Sequence, residues 1–301
     1  MNNAILKDKL EIISVDILDE SRLLADELKY LNRSLGFASG WHYLLDWTWT
    51  IRHLKEVRDK KILDAGAGIG LLQWYLALHS ANVISADRSL RNVLPFHLLQ
   101  HFNMSPFTSR DQFLQLNDFL KPTFADISLL PWLKALLRGS VGALYTRSWK
   151  HASGTVWLYR KDLSNLADVP SNTLDYIVSI SALEHNSPND LRIIVKELER
   201  TLKPGGAMIL TLSAARDADW YFEPAAGWCY SEASLRDIFE LPNHSSSNYD
   251  QFDELMEKLK NSKELRSIMT WYYYYSPRSG MPWGIWRPRY QPVGIVKVKP
   301  L

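Results

Sequence analysis

Apolar residues change their spacing as the chain proceeds, and the change divides the sequence. Over the first 57 residues they recur at helical intervals: Leu23, Leu24, Leu28 and Leu31 line one stretch, and a second runs from Trp41 to Val57. Spacing of three and four residues gathers apolar side chains on one helix face. Gly36 and Gly40 interrupt the two stretches, so residues 1–57 are expected to form a helical N-terminal cap. From Lys61 the pattern shortens to compact apolar runs. Lys61-Ile62-Leu63-Asp64-Ala65 precedes Gly66-Ala67-Gly68-Ile69-Gly70 and a helical segment, Leu71 to His79. Asn82 to Asp87, Thr155 to Tyr159 and Leu174 to Ile180 repeat the strand pattern. Ser187, Pro188 and Asp190 are a helix start, because a serine caps the first free amides and proline tolerates the first turn. Leu191, Ile194, Val195, Leu198 and Leu202 then share a face, Lys203-Pro204-Gly205-Gly206 ends the helix, and Ala207 to Leu212 is another strand. Strands alternating with helices predict an α/β fold with a doubly wound, Rossmann-like parallel sheet covered on both faces.

Two stretches depart from that alternation. The interval between Asp87 and Thr155 is far longer than one crossover needs, so an inserted helical segment is expected at about 92–153, with helices around 110–120 and 129–138. After Leu212 the pattern predicts helices at Ser231–Glu240 and Tyr249–Met269. An aromatic stretch, Trp271 to Tyr275, a loop rich in Pro, Gly, Arg and Trp, and a closing strand at Val293–Val298 complete a domain spanning 58–301.

Composition narrows the chemistry. With 46% hydrophobic and 23% charged residues in 301, the chain has the make-up of a globular protein with a sizeable core. Cys229 is the single cysteine, which excludes an internal disulfide and a Cys-based zinc or iron–sulfur site within one chain. No His/Asp/Glu cluster has metal-ligand spacing either, so no metal is expected. No apolar run reaches the roughly 18 residues of a membrane span. Met1 to Glu20 lack the apolar core of a signal peptide, and a cytoplasmic location is expected. The net charge of +2 conceals an uneven distribution. Residues 88–161 carry 10 basic and 3 acidic side chains, and residues 276–301 carry 5 basic and none acidic. Residues 162–275 hold 18 acidic against 10 basic. Such asymmetry speaks to partners rather than to fold.

A strand, a glycine turn and a helix make a nucleotide-binding corner, since glycine lets a ligand approach the backbone closely. Here the glycines run G-x-G-x-G; a dinucleotide fingerprint would need glycine where Leu71 stands, and no Gly-Lys-Ser/Thr follows for a phosphate loop. Asp64 stands two residues before the first glycine. Its carboxylate would repel a pyrophosphate and attract a ligand bearing an ammonium and a sulfonium, as S-adenosylmethionine does. Asp87 ends the next strand, where it can accept from both ribose hydroxyls. Asp162 can accept from the adenine amino group while Leu163 covers the ring. Taken singly, each aspartate is also an ordinary cap or turn residue.

Five blocks in order resemble the class I S-adenosylmethionine-dependent methyltransferases, most closely their small-molecule branch: Lys61 to Gly70, Asp87, Asp162-Leu163, Leu174 to His185, and Glu197 to Gly206. The match covers roughly 60–90 and 155–213, under half of the chain. The resemblance implies a seven-stranded sheet ending in an antiparallel hairpin and S-adenosyl-L-methionine as cofactor. It implies cofactor contacts from Asp64, Ala65, Gly66, Ala67, Gly68, Gly70, Asp87, Arg88, Asp162, Leu163 and Ser181. Asp175 is expected to cap a turn away from the ligand.

The strand 174–180 delivers Ser181 to His185 to the sulfonium edge, because ligands sit beyond the carboxyl ends of parallel strands. Ser-Ala-Leu-Glu-His replaces the Asn/Asp-Pro-Pro-aromatic turn of enzymes that methylate nucleic-acid amino groups. Cys229 lies outside any nucleophile motif, and only Glu184 stands where protein-arginine enzymes use a glutamate pair. These features disfavour nucleic acid and arginine as acceptors. His185 is the candidate general base, since an imidazole near pKa 6.5 can take a hydroxyl proton. It also reads as a ring that only shapes the loop. Trp41, Tyr43 and Trp228 are the candidate walls of the acceptor pocket, fitting a large apolar or ring-bearing small molecule, although spaced aromatics are more often core, and the basic insertion and tail suit an anionic acceptor. Leu129 to Arg138 is amphipathic and basic; it suits a cap helix packing its leucines inward or a peripheral contact with a membrane. The expected reaction is O-methylation of a small or medium-sized molecule such as a natural product. A glycan or lipid-linked acceptor at a membrane, and a non-catalytic cofactor-binding protein, are the alternatives.

Overall fold

The computed structural model describes residues 6–37, 39–113, 115, 129–269, 277–281 and 284–301. Six parallel strands form the centre of the sheet. In spatial order they are β4 (Asn103–Pro106), β5 (Thr155–Arg160), β3 (Asn82–Asp87), β2 (Lys61–Ala65), β6 (Leu174–Ile180) and β7 (Leu202–Ala214). β10 (Gln291–Val298) lies antiparallel on β7, and β1 (Lys9–Ile12) lies antiparallel on β10. Short β9 (Gly227–Tyr230) continues the sheet from the end of β7 and pairs with β8 (Trp220–Phe222). The sheet therefore has ten strands among the described residues, where seven were expected.

Both faces are covered because the central strands are apolar on both sides. Ile62, Leu63, Val178, Ile177, Met208 and Ile209 are all buried. On one face they meet α3 (Tyr43–His53) and α4 (Leu71–Leu78) through Trp49, Leu71, Trp74 and Leu76. On the other they meet α7 (Pro188–Thr201) through Leu191, Ile194 and Leu198. Each such side chain contributes about 1.5–3 kcal/mol when fully buried. Ser187 caps α7 by accepting from the Asp190 amide at 3.2 Å. The chain steps from β2 outward to β3 and β5, then returns to place β6 on the other flank of β2. That reversal leaves a crevice beyond the carboxyl ends of β2 and β6, the place where open α/β sheets take ligands.

Several expectations need correction. The N-terminal segment is not all helix: Lys9–Ile12 is a strand, followed by α1 (Ile17–Glu20), α2 (Arg22–Ser34) and α3. Leu10 and Ile12 face inward and the chain takes the open edge of β10, satisfying backbone groups that an edge strand leaves free. The inserted segment supplies α5 (Phe96–His101) and an extra sheet strand, β4. The helix expected at 110–120 falls largely outside the described residues, as does the aromatic stretch Trp271–Tyr275. The helix expected at Tyr249–Met269 divides into a single turn and two helices, α9 (Phe252–Lys260) and α10 (Lys263–Ile268). Ser262 makes the division by capping the second with its hydroxyl on the Leu265 amide at 3.3 Å. The helix Glu232–Ile238, α8, is shorter than expected by one residue at its start and two at its end.

The largest reversal concerns α6 (Leu129–Thr146), which runs well beyond the expected 129–138. Three of its leucines do not pack inward. Leu133, Leu137 and Leu144 are exposed, and the helix meets α5 through its small residues. A Cβ at Gly139 would lie 2.3 Å from the Phe96 ring, and one at Gly142 would lie 2.6 Å from His97. Only the absence of side chains lets the two helices approach this closely. None of the described helices is long and apolar enough to cross a membrane.

His97 is fully buried in that contact, and burial, with His101 nearby, pushes its imidazole pKa down to about 4. The unfolded ring titrates near 6.5, so as pH falls the unfolded chain takes the proton first. The stability held by the neutral ring is full above about pH 6.5 and is lost as pH falls toward 4. Urea unfolding is expected to show a loss on the order of 3 kcal/mol across that window that His97→Leu does not share. An identical acid profile in the variant would exclude this role.

Candidate active site

The crevice begins at the turn after β2. Gly66 and Gly68 take φ of +78° and +49°, left-handed values that favour glycine. Gly66 also faces the turn after β6 so closely that a Cβ would fall 2.4 Å from the Ala182 methyl. The amides of Gly66 and Ala67 donate to the Ala86 carbonyl at 2.9 and 3.1 Å, and Gly70 N–H donates to Ala67 O at 2.8 Å before α4 begins. Ser179 Oγ donates to Ala65 O at 2.7 Å, tying the tips of β2 and β6 together.

Gly68 is held from both sides. Its N–H donates to Asp87 Oδ2 at 2.8 Å, and its carbonyl accepts from Arg91 Nη1 at 2.8 Å and from Gln73 Nε2 at 3.3 Å. Arg91 is buried and also donates to the Ser85 and Tyr159 carbonyls. Asp87 Oδ1 accepts from the Ser89 amide and hydroxyl at 2.7 and 2.6 Å. These bonds, together with Gly68 and Arg91, outweigh its burial and hold its carboxyl below the ordinary range. Asp64 differs. It is buried, and desolvation pushes its pKa up to about 7; Arg91 opposes the rise and Asp87 adds to it.

Two cavities meet at Gly66, Tyr43 and Ile180. The first, about 280 Å³, is lined by Asp64, the 66–72 turn, Trp47, Phe37, Asn32 and Arg138. The second, about 270 Å³, is lined by Asp87, Arg88, Asp162, Leu163, Ser181, Ala182 and His185. Asp162 is also the turn residue it resembled, since its Oδ1 accepts from the Ser164 amide at 2.9 Å and its hydroxyl at 2.7 Å. Asp175 lies at the far end of β6, on the Lys61 amide and Lys203 Nζ at 2.9 and 2.8 Å. His185 is exposed at the rim, with Nδ1 2.9 Å from Ala226 O.

The structure brings Asp64, Gly66, Ala67, Gly68, Gly70, Asp87, Arg88, Asp162, Leu163, Ser181, His185 and Tyr43 to these walls. Ala65 is buried beneath the turn. Trp41 and Trp228 line neither cavity. Trp41 packs its ring on Trp286 and Tyr290 at 5.6 and 5.3 Å, filling the core behind the wall. Trp228 stands on β9 against Tyr221 at 5.5 Å. Phe37 and Trp47 supply the aromatic wall instead.

Behind Ser181 lies a buried polar group that sequence reasoning missed. Ser181 has φ +44°, a conformation costing a non-glycine residue about 1–3 kcal/mol. Its hydroxyl donates to Asp46 Oδ2 at 3.0 Å, and the same oxygen lies 2.7 Å from His42 Nδ1. Nearby Glu184 accepts from Ser213 Oγ at 3.2 Å, and burial, then the Asp46 charge, pushes its pKa up to about 8. Asp46 Oδ1 and Glu184 Oε2 have no hydrogen-bond partner among the described residues. The signal was the i, i+4 spacing of His42, the N-cap, and Asp46 at the start of the aromatic-rich α3. Arg91 offered no signal, because an arginine after a strand reads as surface.

The family described as methyltransferase domain matches residues 38–291. A tRNA U34 carboxymethyltransferase of Saccharophagus degradans is 40% identical over 65 residues, 21% of this chain and 19% of that protein. Phosphoethanolamine N-methyltransferase 2 of Haemonchus contortus, solved with phosphomonomethylethanolamine and S-adenosylhomocysteine, superposes with a TM-score of 0.50 at 14% identity. That superposition covers 95% of this chain and 60% of the Haemonchus protein, and it shows the fold. The 1,6-didemethyltoxoflavin-N1-methyltransferase of Burkholderia thailandensis gives 0.42 at 14% identity, covering 95% and 84%.

If Arg91 sets the turn, Arg91→Met takes the guanidinium from the Gly68, Ser85 and Tyr159 carbonyls, leaving Gly68 O with only Gln73 Nε2 at 3.3 Å. A loss of about 2–4 kcal/mol in urea unfolding is expected. A loss within about 0.5 kcal/mol, the range of an ordinary surface change, would show that the turn holds without it.

Proposed function

The chain belongs to the methyltransferase domain family, and from that premise we propose that its crevice binds S-adenosylmethionine and serves methyl transfer to a hydroxyl oxygen of a small or medium-sized molecule. The observation that carries the cofactor assignment is Asp64 and Asp87 standing on either side of a glycine gap that a side chain would close. The residues fit the group. Asp64 is a buried carboxyl that an ammonium would ionise, and Gly66 leaves room for a ligand to pass from one cavity to the other.

Asp64 is assigned to the amino group of the methionine arm, with the backbone of Ala65, Gly66, Ala67, Gly68 and Gly70 giving close approach. Asp87 is assigned to the ribose hydroxyls, Asp162 and Leu163 to the adenine, and Arg88 and Ser181 to the rim of the same cavity. When bound, S-adenosylmethionine supplies a methyl group made electrophilic by its sulfonium. The chain's own work is to position the acceptor in line and keep water out. Tyr43 touches both cavities and can orient a ring, while Arg138 at the first cavity suits an acceptor phosphate or carboxylate. With Nδ1–H donating to Ala226 O, His185 keeps its lone pair on Nε2, the atom assigned to take the hydroxyl proton. A second reading, a glycan or lipid-linked acceptor at a membrane surface, draws on the exposed leucines of α6 next to Arg138.

Because Asp64 must lose its proton to hold an ammonium, affinity for S-adenosylhomocysteine is expected to fall as pH drops below about 7. Calorimetry should show a decline approaching tenfold per unit, absent from an already weak Asp64→Asn. Asp87→Ala is expected to weaken binding at every pH. Wild-type affinity in both variants would sink the cofactor assignment. His185→Ala should lower kcat by about 10²- to 10⁴-fold with cofactor affinity retained; full turnover at all pH values would make the ring structural.

A further inference from the structure

Leu133, Leu137, Val141, Leu144 and Tyr145 recur at helical spacing along one side of α6, and all five are exposed, Leu137 at 60% and Leu144 at 77%. The opposite side carries Ala135, Gly139, Gly142 and Thr146, all buried, with Gly139 and Gly142 against Phe96 and His97 of α5. A helix with small residues inward and large apolar ones outward is inverted relative to a core helix, whose apolar stripe faces inward. Contiguous exposed apolar surface of this kind marks a contact with something else.

Charge identifies the occupant. Residues 127–161 carry six basic side chains, Lys134, Arg138, Arg147, Lys150, Arg160 and Lys161, and no acidic one. Lys134 and Arg138 are exposed at the border of the apolar side, and Arg147 and Lys150 are exposed just beyond the helix. Pairing two copies through this face would oppose like charges, whereas an anionic bilayer attracts the cations and takes the leucines into its interface. Long basic side chains bordering an apolar stripe can reach headgroups while their stems stay among the acyl chains.

We propose that α6 is a docking helix for an anionic lipid surface. Arg138 belongs to both the helix and the first cavity, and the Gly36 turn meets its carbonyl, a Cβ there lying 4.0 Å away. Docking therefore turns the mouth of that cavity toward the headgroups. The docking stands independently of the methyl-transfer reading, which cofactor binding reports separately.

The test is sedimentation of the full chain with vesicles of equal phosphatidylcholine and phosphatidylglycerol, against vesicles of phosphatidylcholine alone, at low salt. Binding to the mixed vesicles only is expected. The double change Leu137→Glu with Leu144→Glu should lower the partition coefficient at least about tenfold, and the milder Leu137→Ala with Leu144→Ala by less. Lys134→Gln and Lys150→Gln should each cost about fivefold, an effect lost at high salt. Unchanged melting and cofactor affinity would confirm that the variants fold. Failure to sediment with the mixed vesicles, or sedimentation indifferent to the leucine changes, would overturn the proposal. A concentration-dependent dimer that the leucine changes abolish, without vesicle binding, would assign the face to a second copy instead.

Discussion

The Gly68 peptide is gripped at both ends, by Asp87 on its N–H and by Arg91 and Gln73 on its carbonyl, and the shape of the crevice follows from that grip. Arg91 reaches on to the Ser85 and Tyr159 carbonyls, so one guanidinium ties the turn after β2 to β3 and β5. The opposite flank is tied by Ser179 to Ala65. A turn fixed on three strands can hold left-handed backbone and a near-contact with Ala182 without collapsing the gap between them. Burial makes the arrangement costly to leave incomplete, because an unmade bond to a buried carbonyl is not replaced by water.

That grip also separates two carboxyl groups one strand apart. Asp87 is supplied with donors and stays ionised, whereas burial pushes Asp64 up to about 7. The pair therefore offers a fixed acceptor on one side of the glycine gap and a proton-sensitive acceptor on the other. A neutral Glu184, pushed up to about 8 beside Asp46, extends the same logic behind the wall, where the strained Ser181 joins β6 to α3.

The parallel strands, the glycine turn and the Ser187 cap were legible in the sequence because each is a local pattern: a short apolar run, a run of glycines, a serine before a proline. The edge strands were not. Lys9-Leu10-Glu11-Ile12 alternates as a strand should, but four residues carry little weight beside long helical stretches, and its partner lies at the other end of the chain. The facing of α6 was misjudged because its leucines and its glycines both recur at helical spacing. Close approach to Phe96 and His97 selects the glycines as the packed side. Among candidate site residues, those within motifs reach the cavities except Ala65, which is buried beneath the turn; of the three chosen for ring type, Tyr43 lines both cavities while Trp41 and Trp228 are taken up elsewhere. Arg91 and the His42–Asp46 pair act through contacts remote in sequence: the i, i+4 spacing marks the pair but not its link to Ser181, and nothing local marks Arg91.

The inserted segment meets the site at Arg138, where the basic, acid-poor part of the chain touches the cavity that holds Asp64. What lies across the Gly66 gap decides the role of Asp64 and Asp87. A crystal structure of the chain with S-adenosylhomocysteine tests this most directly. It should place the ribose on Asp87, the adenine beside Asp162 and Leu163, and the amino group against Asp64. A ligand lodged elsewhere, or one whose amino end points away from Asp64, would contradict it.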